Sequence, residues 1–524
     1  MAWVKMRFIL PIILLASLSL TNCSAASRLF MRGRHRGGNL GVPVVSDTHQ
    51  LPKEQWLTQF LDHFNPTDAR LWKQRYYFNG DYYEKGGPVF LMIGGEGPAT
   101  AKWMVEGQWI EYAKKFGAMC FQVEHRYYGK SQPTRSVVEE AWTKRMPDKH
   151  NLNSSCSSDL SVKNLAYLTS EQALADLAYF ITSMMEVYQL PNNTKWIAFG
   201  GSYAGSLAAW LRAKYPHLVD GAVSASGPLL AQVDFQEYYV IVENALKDYS
   251  QSCVDAIIQA NRQFHIMLRH PIGQQGIVKK FKLCDPIDPG HTKRNDISNL
   301  YETLASDFAG IVQYNRDNRN NSAMANMTIE KVCDSLTNEK QGIAIDRLAQ
   351  ISNTLLEASG KKCLDYRYSK MIRELRNTSW ASEEGEGGRQ WMYQTCTEFG
   401  FFQTSTARPQ LFSEMFPVDF FVQQCVDVFG PRYNADLLQS GVRRTNILYG
   451  AFKLDVSNAV FVHGSVDPWH ALGITKTLNS RAPAIYINGT AHCANMYPPS
   501  KDDLPQLKAA RVEIANIISH WLQQ

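Results

Sequence analysis

The chain carries a sheet pattern that starts, stops and starts again. From about Trp56 to Pro228, apolar strand-like runs alternate with helical stretches. Val89–Ile93 and Cys120–Val123 read as buried strands, each followed by a turn, "GGEGP" and "EHRYYG". Between Ser170 and Leu190 the residues Leu174, Leu177, Ile181, Met184 and Met185 recur at helical spacing. Trp196–Phe199 then reads as a strand, Ala204–Tyr215 as a helix, and "GAVSAS" as the next strand. This alternation predicts a mostly parallel sheet with helices on both faces. From about 229 to 437 strand runs become scarce, and "VIVENALKDY", "SCVDAIIQANRQFHIML" and "IAIDRLAQISNTLLEA" are helical, with "SEEGEGGRQ" a solvated loop. Strand runs return in "AVFVHGSVDPWHALG" and "APAIYINGTAHCANM", and a last helix spans Leu507–Trp521. The reading is one α/β domain in two parts, 55–228 and 438–524, split by a mostly helical insertion, 229–437.

The first residues stand outside that domain. Lys5 and Arg7 precede an apolar run, Phe8–Leu20, and small residues Ser24, Ala25 and Ala26 follow. That is the pattern of a signal peptide, 1–26, too short to span a bilayer. No later segment reads as a membrane span or anchor. Residues 27–54 form an N-terminal arm or a pro-segment. The net charge of +5 misleads, because residues 1–36 hold six Lys and Arg and no acid, leaving −1 for the rest. No nucleic-acid partner is inferred from it. Ten cysteines become nine after loss of Cys23, an odd number that implies several disulfides and an unpaired thiol. Sequons at Asn153, Asn192, Asn320, Asn326, Asn377 and Asn488 add to the case for a secreted or lysosomal glycoprotein.

The stretch "WIAFGGSYAGSLAAWLRAKYP" places Ser202 between a strand and a helix. In an α/β-hydrolase the nucleophile sits on such a turn, and the residues two before and two after it must be small because the two backbones come close. Gly200 and Ala204 meet that requirement, although the pattern's second glycine arrives one residue late, at Gly205. The N–H groups of Tyr203 and of Gly95, in "GGEGP", are the candidate oxyanion donors. Ser202 needs a base, and the base needs an acid to orient it. Asp467 follows one late strand run and His492 the next, in the chain order this fold uses. His463 and His470 compete as base, but one ends a strand and the other begins a helix. There is no metal-ligand spacing, phosphate loop or dinucleotide fingerprint, so no metal or cofactor is expected.

Six segments in order, "HFNPTDARLWKQRYYFN", "GPVFLMIGGEGPA", "EHRYYGKS", "LTSEQALADLAYF", "GGSYAGSLAAWLRAKYP" and "YQTCTEFGFFQT", resemble the serine peptidases of the prolyl carboxypeptidase, dipeptidyl-peptidase II and thymus-specific serine protease family. The likeness covers about residues 55 to 520. It implies an α/β-hydrolase fold with a large helical cap, a triad on Ser202, Asp467 and His492, and disulfides Cys253–Cys333, Cys284–Cys363 and Cys396–Cys425. Against the proline-specific members, this chain has Ser206 where they have methionine, Cys493 in place of a second histidine, and Tyr497 where they have arginine. It keeps Trp469, which lines a proline pocket in them. The closer likeness is therefore to the thymus-specific type. Cys493 and Cys120 are the candidates for the unpaired thiol. Glu96 has two readings: it binds a substrate's amino terminus, or it is a structural acid bonded to Arg126.

The resulting expectation is a secretory-pathway serine exopeptidase cleaving short peptides, prolyl bonds among them, through an acyl-enzyme. An esterase on the same fold and an inactive peptide-binding glycoprotein are the alternatives. Peptides are the expected partners; a homodimer is left open.

Overall fold

Strands dominated by apolar residues on both faces must be covered on both, and the middle of the central sheet is built of such strands. The computed structural model describes residues 30–31, 34–35, 38–46, 49–134, 159–316 and 327–524. The expected leader, Asn153, Asn320, Asn326 and Cys156 lie outside them. The sheet has eight strands: β1 (Gln55–Phe60), β2 (Leu71–Asn79), β3 (Val89–Ile93), β4 (Met119–Val123), β5 (Trp196–Gly201), β6 (Gly221–Ala225), β7 (Ala459–Gly464) and β8 (Ala484–Ile487). Their spatial order is β1-β2-β4-β3-β5-β6-β7-β8. The β1–β2 and β2–β4 pairs are antiparallel and every later pair is parallel. All residues of β3 to β7 are buried, as a parallel sheet covered on both faces requires.

The two faces have separate cores, sorted by the two-residue period of the strands. Phe90, Met92, Ile197, Phe199, Val460 and Val462 face the helices Gln108–Phe116 and Pro505–Gln523, through Trp109, Ile110, Ile514 and Ile518. Val89, Leu91, Ile93, Ala198 and Phe461 face Ser170–Val187 and Tyr203–Lys214, and this core runs on without a break into the insertion.

The insertion is helical from Glu237–Tyr249 through Val418–Phe429 and includes the three predicted helices, now Glu237–Tyr249, Gln251–Leu268 and Ala344–Ala358. Among the described residues a small sheet pairs Gln232–Asp234 with Gly400–Phe402 in parallel. Disulfides join Cys253 to Cys333, Cys284 to Cys363 and Cys396 to Cys425, the pairs that the resemblance implies. Cys120 and Cys493 are free and buried.

Two expectations need correction. The "SEEGEGGRQ" stretch is not a solvated loop. Arg389 and Gln390 are buried at the start of the helix Gly388–Gln394. Arg389 donates to the carbonyls of Leu160 and Leu375, and Gln390 Nε2 to those of Tyr127 and Gly385, so these donors are paired inside. The helix Ala435–Tyr449 also runs straight through the 437/438 boundary, with Tyr449 stacked on Trp210 of the sheet domain at 4.0 Å.

Candidate active site

Ser202 joins β5 to the helix Tyr203–Lys214 in a left-handed conformation, φ 62° and ψ −133°. A serine there costs about 1–3 kcal/mol, and surrounding contacts must enforce it. They do: Ser202 N–H donates to Ala225 O at 2.9 Å, and the N–H groups of Gly205 and Ser206 both donate to Ser202 O. A β-carbon on Gly200 would lie 2.0 Å from Ala204 O, and one on Gly205 would lie 2.6 Å from Ala225 O. The late glycine thus has its own duty, letting the new helix pass over the end of β6. Gly95 lies against Ala204, which puts it beside Tyr203 at the helix start.

Asp467 and His492 follow β7 and β8. His492 Nδ1 donates to Asp467 Oδ1 at 2.9 Å, and the Trp469 N–H donates to the same oxygen at 3.0 Å. Both side chains are buried. Burial alone would raise the Asp467 carboxyl, but the His492 imidazole beside it outweighs that and holds it below the usual range. Burial works against the imidazolium of His492, yet the Asp467 carboxylate prevails and raises it above the ordinary histidine value. His492 Nε2 has no hydrogen-bond partner among the described residues, so no bond to Ser202 is made in this state. The two are nonetheless neighbours. Cys493 lies against Gly201, and Ala225 O receives both Ser202 N–H and the Cys493 thiol.

The competing histidines are placed elsewhere in role. Burial keeps His463 neutral, pushed down to about 4, and it is packed against Gly473 with neither ring nitrogen paired. His470 meets the hydroxyl of Tyr486 at 3.5 Å.

The cap reaches the site through the end of the helix Arg294–Gln313. Gln313 O accepts from His492 N–H at 3.0 Å. Gln313 Oε1 accepts from Trp469 Nε1 and from the Tyr238 hydroxyl, at 2.9 and 2.7 Å. Its Nε2 donates to the Tyr314 hydroxyl, which donates in turn to Asn39 Oδ1. Asn39 Nδ2 donates to Ser202 Oγ at 3.2 Å. Gln313, Tyr314 and Asn39 are absent from the sequence reading. The signal for Gln313 was a lone amide ending an apolar helix turn, "AGIVQY". Trp469 also packs against Phe235, Tyr238 and Phe401, with ring centres 5.4 to 5.9 Å away.

Two further sequence assignments, a bond between Arg126 and Glu96 and a substrate-facing Ser206, resolve differently. Arg126 is bonded to Asp176 through Nε at 2.6 Å and a second nitrogen at 2.7 Å, not to Glu96. Glu96 is buried and accepts the Asn39 N–H at 2.8 Å. The Ser206 hydroxyl donates to Pro228 O at 2.7 Å and lies buried under the helix. Tyr203 turns its side chain the other way, where His125 Nε2 and Gln394 Nε2 both meet its hydroxyl at 3.1 Å. Asn192, Asn377 and Asn488 are exposed.

Strand order and the turn at Ser202 define an α/β-hydrolase fold with a helical insertion. The model of the serine carboxypeptidase S28 family matches residues 59–144 and 153–514. The chain is 33% identical to the thymus-specific serine protease of Mus musculus, over 90% of this chain and 88% of that one. It is 31% identical to the thymus-specific serine protease of Homo sapiens, over 92% and 89%. The lysosomal Pro-X carboxypeptidase of Homo sapiens is 26% identical, over 92% and 90%. The chain belongs to the serine carboxypeptidase S28 family and is a serine-type peptidase.

Proposed function

We propose that this peptidase is a secretory-pathway exopeptidase that cleaves short peptides with Ser202 as nucleophile, His492 as base and Asp467 as the acid that orients it. The observation that carries this is the His492–Asp467 pair, closed at Nδ1 and open at Nε2, set beside a serine held in a strained turn. Ser202 Oγ attacks the peptide carbonyl carbon while His492 Nε2 takes its proton. The developing oxyanion is received by the N–H groups of Tyr203 and Gly95. His492 then gives its proton to the leaving amine, and water repeats the sequence on the acyl-enzyme.

The cluster of Trp469 with Phe235, Tyr238 and Phe401 set tilted or edge-on to it offers apolar surface for a proline ring, and the Pro-X name of one set of relatives favours prolyl bonds. Ser206 contributes packing under the nucleophile, because its hydroxyl is committed to Pro228. The cap over the site restricts substrates to chain ends. The leader pattern, the sequons and three disulfides support passage through the secretory route.

Prolonged incubation with a fluorophosphonate tests the nucleophile: the adduct is expected on Ser202, and none on folded protein would remove this reading. A peptide-library digest read by mass spectrometry tests the rest, since internal cleavage of long peptides would contradict an exopeptidase. The base works unprotonated, and Asp467 raises its pKa. The acid limb of kcat/KM is therefore expected above the ordinary histidine value of 6.5, with activity rising as pH rises.

A further inference from the structure

Ser202 is 3% exposed and His492 1%, so no peptide carbonyl reaches them as the molecule stands. What lies directly on the nucleophile is neither sheet nor cap but the N-terminal arm. Asn39, itself 1% exposed, is held at three points among the described residues: its N–H donates to Glu96 Oε1 at 2.8 Å, its Oδ1 accepts from the Tyr314 hydroxyl at 2.8 Å, and its Nδ2 donates to Ser202 Oγ at 3.2 Å. Gly38, at φ +102°, lies against the backbone of Gly97, and Leu40 packs over Gly201. Beyond these residues exposure alternates, with Val42 40% and Val44 53% exposed on either side of the buried Pro43.

These contacts copy what a peptide would make, with one difference. A backbone N–H is given to the Glu96 carboxylate, as a bound peptide would give it. The amide group that meets the serine, however, offers its nitrogen and not its carbonyl carbon. The nucleophile is engaged, and no electrophile is presented.

Resting on the assignment of Ser202 as nucleophile, we propose that residues 38–42 are an intramolecular plug and that the peptidase is held inactive until the plug is withdrawn. Withdrawal follows hydrolysis of one peptide bond in the exposed stem by an endopeptidase and water. The arm from Ser27 to Val44 has no cysteine, so nothing covalent retains it after the cut. Its departure removes the Asn39 N–H from Glu96 and the Asn39 amide from Ser202.

The test is a full-length chain with a specific cleavage sequence inserted after Val44, compared uncut and cut after gel filtration. The readout is the rate at which a fluorophosphonate labels Ser202. A tethered occupant acts at millimolar effective concentration, so cutting should speed labelling about tenfold or more. In the uncut chain Asn39→Ala should speed labelling roughly threefold to tenfold, because it removes two of the three points while leaving the tether. A free peptide of residues 38–46 should slow labelling of the cut chain, and the same peptide with Asn39→Ala should not. Equal rates before and after cutting, or slower labelling of the Asn39→Ala chain, would overturn the plug. No labelling of any folded form, even at completion, would instead remove Ser202 as nucleophile, and the plug with it.

Discussion

The sheet and the cap approach Ser202 from opposite sides and hold it with different kinds of atom. On the sheet side the contacts are main chain: Ala225 O to Ser202 N–H, Ser202 O to the next turn of helix, and Gly200 and Gly205 pressed on neighbouring carbonyls. Such contacts have no rotamers and few alternatives. On the cap side they are side chains at one helix end, Gln313 and Tyr314, with Asn39 of the arm between them and the serine. A hydrogen bond of that kind contributes about 1 kcal/mol net and breaks with a side-chain rotation. The sheet side is therefore fixed by main chain, while the cap side, with the arm between, rests on side chains that can turn.

The largest expected effect separates the two. Ser202→Ala should lower turnover by about four to six orders of magnitude while leaving the thermal midpoint nearly unchanged. A midpoint lowered by many degrees would mean that the elbow depends on the hydroxyl and not on its backbone. Next in size, Gly200→Val would drive a side chain into Ala204 O and should cost about 4 kcal/mol or more, read from urea unfolding of purified protein or from loss of secretion. Full activity in this variant would break the claim that the sheet side has no slack.

The cap is tested by Cys396→Ala with Cys425→Ala. The loop this bridge closes spans 29 residues, so its removal should cost about 3 kcal/mol. A separate early unfolding step, seen by calorimetry, would sharpen the contrast, because the sheet would outlast the cap.

The smallest effect concerns Glu398, in the cap segment that this bridge ties down. It accepts from Ser170 N–H and Oγ and from Gln394, yet burial raises its carboxyl to about 7. The folded state thus binds this proton more tightly than the unfolded chain. The stabilisation is fully present below the ordinary glutamate value of 4.5 and is lost as pH rises through about 7. Glu398 also lines a cavity with Arg444 and Tyr393, and its partial exposure holds the effect near 1 kcal/mol. Glu398→Gln should flatten the stability difference between pH 4.5 and 7.5, and an unchanged difference would clear this group of any part in it.

What was legible in the sequence follows the same division. Ser202, Asp467 and His492 stand at the ends of strands, and strand runs announce themselves by their apolar residues. Asn39, Gln313 and Tyr314 meet across elements far apart in the chain, and no local pattern encodes such a meeting. Glu96 and Arg126 sit on adjacent turns, which made a bond between them attractive. The true partner of Arg126, Asp176, was visible as a lone acid in the apolar stretch "ALADLAYF", where a buried charge demands a cation. The "SEEGEGGRQ" stretch was misread because glycine and glutamate usually signal solvent, whereas Arg389 and Gln390 are buried by finding four carbonyl acceptors.

The cap is inserted between β6 and β7, strands that lie side by side in the finished sheet. During synthesis, then, the elbow emerges early, and the strands that bring Asp467 and His492 emerge last, after the whole cap. Until β7 arrives, β6 has an open edge, and neither Asp467 nor His492 is in place beside Ser202. On the proposed mechanism, a chain interrupted anywhere in the cap carries the nucleophile without its base, and the order of manufacture is then itself a safeguard for the compartment that makes it.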